Sequence, residues 1–472
     1  MSQEKKQGMG TTAVWAGEEG EQPYGATVVP VVHSVTYNYD DVDEWFAVAT
    51  GTQPGHIYSR NTNPTVDALE KKMAGLEAAE DATSFSTGMA AISNTLFTLL
   101  SPGDRVVSVK DSYGGTLKVF TDFLPRFGVE VELCETEDHE AIEAAVAKGC
   151  KVLYLETPTN PTLKVLDLER LSKAGHAQGA TVVVDNTFST PINQRPLELG
   201  ADLVVYSGTK FLNGHSDAMC GILTGSRELV RQVFHFREIN GASLHASTAY
   251  LVMRGLKTLE LRIARHNENA GRLARFLAER DEVEQVNYPG LETHRGHDIA
   301  KRQMLGYGGM LSFSLKGGMD AVKAFMPKLR FAHRGASLGS VGTLVGSPGT
   351  TSHVEVPKEE RAKAGIPEGL VRVSAGIENG DDLIADFSPA LASSSAAPPS
   401  PPPSVGRMTT LSVRKRPLHK ETGAGMHVVC RRDARLPRTS PGGGDSRAPV
   451  RAYGIASASR CVSCCSRPLP SA

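Results

Sequence analysis

Between residues 82 and 225 short runs rich in Val and Leu alternate with helical stretches, and this alternation sets the architecture. Strand-like runs stand at 105–109, 129–133, 152–155, 181–184 and 203–206. Between them apolar residues recur with a period near 3.6, as in 138–148, closed by Gly149, and 167–178, closed by Gly179. A strand that is apolar at consecutive positions must be covered on both faces. With a helix after each run, the pattern predicts an α/β fold: a mostly parallel sheet sandwiched by helices. Such sheets hold ligands beyond the carboxyl ends of their strands. A long amphipathic stretch at 248–280 predicts the exit into a second domain. The mixed pattern of 308–387, strand-like at 310–315 and 369–374, predicts a smaller α+β C-terminal domain. Residues 1–60 show little periodicity and read as an arm lying on another surface. The expected division is an arm over 1–60, a large domain over 61–250, a C-terminal domain over 251–387 and a tail over 388–472.

The tail stands apart in composition. From residue 388 onward there are 13 Lys and Arg against 3 Asp and Glu, with 12 of the chain's 27 prolines. The stretch 393–403 is low in complexity and cannot pack a core. The whole chain carries a net charge of -1, so the portion before the tail is acidic, and neither a nucleic acid nor a membrane is expected to partner that folded core. The polar, Lys-containing residues 1–10 do not read as a secretory signal, and no run nears the roughly 18 apolar residues of a membrane span. Seven cysteines in 472 residues are too few for a disulfide scaffold, which predicts a reduced, cytoplasmic setting.

Three features fall at strand ends. Asp185 closes the run TVVVD; Ser207-Gly208-Thr209-Lys210 follows LVVY; Ser86-Thr87-Gly88-Met89 precedes a helical stretch at 90–100. Taken singly each has a bland reading, as a helix cap, a solvated loop and a turn. Together they match the needs of pyridoxal 5′-phosphate. Its aldehyde requires a lysine amine, its pyridine nitrogen a carboxylate, and its phosphate the N–H groups of a helix start with hydroxyl donors. Lys210, Asp185, and Gly88 and Met89 with Ser207 and Thr209 are the candidates. No dinucleotide fingerprint, P-loop or metal-ligand set competes.

The chain resembles the Cys/Met-metabolism family of fold type I pyridoxal-phosphate enzymes from about residue 11 to 387. The resemblance rests on Tyr58-Ser59-Arg60-Asn61-Thr62-Asn63-Pro64-Thr65, Ser86-Thr87-Gly88-Met89-Ala90, Tyr113-Gly114-Gly115-Thr116, Glu156-Thr157-Pro158-Thr159-Asn160-Pro161, Val184-Asp185-Asn186-Thr187, Ser207-Gly208-Thr209-Lys210, Asn213-Gly214-His215-Ser216-Asp217, Tyr288-Pro289-Gly290-Leu291, Ser337-Leu338-Gly339 and Leu370-Val371-Arg372-Val373-Ser374. It implies that Lys210 holds the cofactor as a Schiff base and then takes the Cα proton, and that Asp185 partners the pyridine nitrogen. It implies a stacking and proton-transfer role for Tyr113, a bond from Asn160 to the cofactor's phenolic oxygen, and a phosphate cradle of Gly88, Met89, Ser207 and Thr209. Tyr58 and Arg60 would reach the cofactor of a neighbouring subunit, making a homotetramer with shared sites. Arg372 would bind the substrate α-carboxylate and Ser337 would orient the lysine or substrate. His215, beside the lysine loop, reads as structural.

The resemblance implies a small sulfur amino acid as substrate and leaves the outcome open. A γ-lyase acting on cystathionine or a related thioether is the leading expectation. The alternatives are γ-replacement, as in cystathionine γ-synthase or an O-acylhomoserine sulfhydrylase, a methionine γ-lyase, and a non-catalytic relative. Ala336 and Ile57 stand where cystathionine-handling relatives often carry acids, and Gly115 stands where methionine γ-lyases typically carry cysteine. The closing amphipathic helix expected after residue 381 reads as dissolving at Ser388-Pro389, as a shifted reading frame near Phe387 would produce. A genuine basic extension that touches nucleic acid or a partner is the other reading of the tail.

Overall fold

The computed structural model describes residues 7–351, 354, 358–363 and 365–394. A seven-stranded sheet forms first in the chain: β1 (Asp81–Phe85), β2 (Arg105–Val109), β3 (Glu130–Cys134), β4 (Val152–Glu156), β5 (Thr181–Asp185), β6 (Leu203–Ser207) and β7 (Gly221–Gly225). Their order is β1-β7-β6-β5-β4-β2-β3. The run from β3 to β6 is parallel, and β7 lies antiparallel between β6 and β1. Side chains alternate between two cores, as period-two strands require. Leu153, Val182 and Val204 meet Leu69, Ile142 and Leu171 on one face. Tyr154, Val183 and Val205 meet Ile92, Leu96 and Val230 on the other.

The second sheet comprises β8 (Val283–Asn287), β9 (Met310–Leu315), β10 (His333–Arg334), β11 (Leu344–Gly346) and β12 (Leu370–Ser374), in the order β10-β11-β12-β9-β8. Its own core packs Phe313, Phe325 and Phe387 edge to face.

Three local expectations change. The stretch expected as one helix at 248–280 is two, Ala246–Leu256 and Leu259–Ala278. At the break the Gly255 carbonyl accepts from Thr258 Oγ1 at 3.2 Å and Arg262 Nη2 at 2.7 Å, so side chains replace the next turn of helix. The closing helix does not dissolve at Ser388-Pro389; it runs over Gly380–Ser394 with Pro389 inside it. Leu383, Phe387, Ala390 and Leu391, at helical spacing, are buried, the last three in the second sheet's core, and that packing outweighs a proline penalty of about 3 kcal/mol. Ser393 and Ser394 therefore close a helix, while the rest of the low-complexity stretch and the basic tail lie outside the described residues. The third change is the pair β1 and β7, which the periodicity passed over. Gly221 of β7 lies so close to the Thr87 carbonyl that a Cβ has no room there.

The arm begins on its own chain. The helix Met9–Trp15 buries Ala13 completely. Lys72 donates to the Ala13 and Val14 carbonyls at 3.1 and 3.0 Å and pairs with Glu18 at 3.1 Å. Further along, Tyr24, Val35, Val42, Trp45 and Phe46 are exposed. Among the described residues no helix is long and apolar enough to cross a membrane.

Candidate active site

Three neighbouring strands end in polar residues at one edge of the parallel sheet: Glu156 on β4, Asp185 on β5 and Ser207 on β6. Asp185 is 7% exposed. Its Oδ1 accepts from the Thr187 amide at 3.0 Å and from the Thr187 hydroxyl at 2.6 Å, and Oδ2 faces Tyr154 Oη at 3.5 Å. Burial pushes its pKa up, and the Thr187 donors oppose the rise. The same Thr187 Oγ1 accepts from the Ser207 amide at 2.9 Å. One hydroxyl thus ties the ends of β5 and β6.

Gly88 opens the helix Gly88–Leu99 directly against Ser207; a Cβ on Gly88 would stand 2.8 Å from the Ser207 Cβ and Oγ. Thr87 caps the helix by accepting from the Ala90 amide at 3.1 Å. The amides of Gly88 and Met89, in the first turn, have no carbonyl four residues back inside the helix. Two N–H groups and the helix dipole therefore converge beside the Ser207 hydroxyl, an arrangement suited to a phosphate. Thr209 holds the lysine loop to β7, its hydroxyl bonded to the Cys220 amide at 3.0 Å and its amide to the Cys220 carbonyl at 3.1 Å.

Lys210 follows on that loop. Its Nζ donates to Ser337 Oγ at 3.1 Å. Burial, then the nearby Arg372 cation, lowers its pKa, which favours the neutral amine that attacks an aldehyde. Arg372, in the middle of β12 and 5% exposed, donates to Asn160 Oδ1 at 3.0 Å and to the carbonyls of Ser337 and Ala336 at 3.2 and 3.4 Å. Burial brings its pKa down to about 10. Tyr113 is 42% exposed, and its amide donates to Glu156 Oε2 at 2.7 Å. Gly339, at φ +77°, packs on the Lys210 carbonyl carbon and the Phe211 amide, which brings the Ser337 loop onto the lysine; no other residue fits that approach without strain.

The structure thus brings Lys210, Ser337, Arg372 and Asn160 into one hydrogen-bonded set; Thr187 joins Asp185 to Ser207, against which Gly88 packs. A cleft of about 580 Å³ is lined by Ser86, Thr209, Met219, His245 and Ser337 among others. Tyr58 and Arg60 line an adjoining hollow of about 240 Å³ with His33 and His245, where Arg60 stacks on Tyr58 at 5.6 Å and donates to the Glu238 carbonyl. His215 Nδ1 bonds the Asn213 carbonyl at 2.8 Å. Sequence reasoning assigned no role to Thr187, Tyr154 or Glu156. Glu156 and Thr187 sit inside motifs already noted, and the signal was that each lies at a strand end beside a named site residue.

A model of the family described as Cys/Met metabolism PLP-dependent enzymes matches residues 10–392. The chain belongs to this family. Members of the Cys/Met-metabolism family depend on pyridoxal phosphate, and the residues present fit that group: a half-buried amine, a buried carboxylate, and a glycine-floored helix start. The chain is 45% identical over 386 residues to the L-methionine γ-lyase of Fusobacterium nucleatum subsp. polymorphum, covering 81% of this chain and 98% of the relative. It is 40% identical over 382 residues to the cystathionine γ-lyase of Bacillus subtilis strain 168, covering 81% and 98%. The solved cystathionine γ-synthase of Xanthomonas oryzae pv. oryzae superposes with a TM-score of 0.79 at 38% identity, covering 83% of this chain and 99% of that one.

Proposed function

We propose that the protein is a carbon–sulfur γ-lyase that converts a thioether amino acid and water into a thiol, 2-oxobutyrate and ammonia. The observation that carries the reading is the Lys210–Ser337–Arg372–Asn160 set, in which a neutral-leaning amine lies beside a fixed guanidinium fork. When bound, pyridoxal phosphate supplies an electron sink for charge developing at the substrate carbons. Gly88, Met89, Ser207 and Thr209 would hold its phosphate and Asp185 its pyridine nitrogen. Asn160 Oδ1 is taken by Arg372, which leaves Nδ2 to donate to the phenolic oxygen. Arg372 grips the substrate α-carboxylate, Lys210 Nζ accepts the Cα proton, and the Tyr113 hydroxyl donates a proton to the departing sulfur. Closure of this half-open cleft is assigned to a second copy. Tyr58 and Arg60 would reach the neighbouring subunit's phosphate in a homotetramer, and the exposed Trp45 and Phe46 of the arm support burial against a partner. The free thiols Cys134, Cys150 and Cys220 support a reducing, cytoplasmic setting.

Ala336 and Ile57 offer no carboxylate to a distal ammonium, which favours thioethers that lack one. The test supplies methionine alone, cystathionine alone, and O-acylhomoserine with cysteine, and follows 2-oxobutyrate and cystathionine. 2-Oxobutyrate from a single thioether supports the lyase. Product only in the tube with cysteine overturns it in favour of γ-replacement, the reaction named by the superposed synthase. Lys210→Ala, expected to abolish the visible band of the loaded protein, is the control.

A further inference from the structure

Glu156 is the one strand-end residue of the site that the proposed chemistry does not use. It pairs in register with Asp185 across β4 and β5, and both are nearly inaccessible, at 5% and 7% exposure. Two carboxyls placed so close in a dry site cannot both ionise. The donors around them favour Asp185, whose Oδ2 also faces the Tyr154 hydroxyl at 3.5 Å. Asp185 receives the Thr187 hydroxyl and amide. Glu156 receives the Tyr113 amide at 2.7 Å and faces the Asn160 amide. The other ionisable groups facing Glu156 are Asp111 and Tyr154; the Asp111 charge is taken up by Lys164 at 2.9 Å. Burial, reinforced by Asp185, pushes the Glu156 pKa well above the carboxylate range.

Resting on the cofactor reading above, we propose that Glu156 is a positioning residue: an uncharged carboxylic acid that sets Tyr113 and Asn160 by their backbone N–H groups and leaves the negative charge to Asp185. A neutral acid serves this task better than an anion. It accepts from two amides while adding no second charge to compete for the pyridinium proton. Tyr113 and Asn160 stand on different loops, and the end of β4 is where they meet.

Three variants of the full-length protein test this, each reconstituted with pyridoxal phosphate and read by cofactor affinity, by the pH midpoint of the visible band, and by kcat and KM. Glu156→Gln keeps the amide acceptor without charge; its affinity is expected within about twofold of wild type, with an unmoved midpoint. Glu156→Ala loses the acceptor, and Glu156→Asp withdraws it by one methylene. Each is expected to weaken cofactor affinity about tenfold and to lower kcat more than it raises KM. Because Ala can fail to fold at a buried site, Asp decides that arm. A Gln variant with a displaced midpoint or with the losses of Asp shows that the charge is needed and overturns the proposal; so does an Asp variant equal to wild type. Wild-type protein that takes up no cofactor overturns the functional reading and this proposal with it, whereas a normal wild-type band beside an altered Gln variant overturns only the role of Glu156.

Discussion

Arg372 donates a 3.0 Å hydrogen bond to Asn160 from 212 positions further along the chain, joining the second sheet to the loop after β4. The bond, with those to the Ser337 and Ala336 carbonyls, fixes the plane of the guanidinium before any substrate arrives. Lysine can supply the charge but not the fork. Arg372→Lys is therefore expected to raise KM for amino acid substrates by roughly 10- to 100-fold with a smaller change in kcat. Steady-state kinetics check this, and an equal fall in kcat with unchanged KM would count against carboxylate binding.

Glu77 gives a pH dependence of stability. It is fully buried, accepts from the Tyr206 hydroxyl, and burial pushes its pKa up to about 8. Between the ordinary 4.5 and about 8 the unfolded chain has released a proton that the folded chain retains, so stability falls as pH rises through that window. Glu77→Gln keeps an acceptor and removes the titration. Its stability relative to wild type is expected to grow between those values, by roughly 1–3 kcal/mol, and to level off above them. Thermal melts at several pH values decide, and a constant difference would refute the assignment.

Gly115 permits the close approach of two site residues. A Cβ there would lie 2.7 Å from the Tyr113 ring and 2.8 Å from Met89 Sδ. Gly115→Cys must displace the half-exposed ring, and kcat is expected to fall about tenfold with the cofactor retained. Unchanged kcat would mean that Tyr113 moves aside without consequence.

The shared-site reading predicts rescue by mixing. Lys210→Ala and Arg60→Ala are each expected to be nearly inactive alone. Refolded together, they form hybrid pairs in which one site regains both residues, restoring roughly a quarter of wild-type activity. No recovery in proven hybrids would place Arg60 in its own subunit's site.

The parallel core was legible because strands such as β4 and β5 are apolar at successive positions and are each preceded by a capped helix. β7 was not, since its sequence GILTG carries glycine at both ends, and what fixes it there is the approach of Thr87 from elsewhere in the chain. The end of the closing helix was misread for a related reason. Pro389 is a local breaker, whereas the burial of Phe387 and Leu391 depends on a sheet formed earlier in the sequence. At the site, Lys210 and Asp185 stand out at strand ends in any reading. Glu156 gains its meaning from register with β5, and register is written in neither strand alone.

The Thr187 hydroxyl, shared between Asp185 Oδ1 and the Ser207 amide, makes the ends of β5 and β6 a single mechanical part. Substitutions at residue 207 will be felt at residue 185, so their effects will not add. Attempts to re-engineer this pocket should vary the three positions together, because a library that samples them one at a time will undervalue every useful combination.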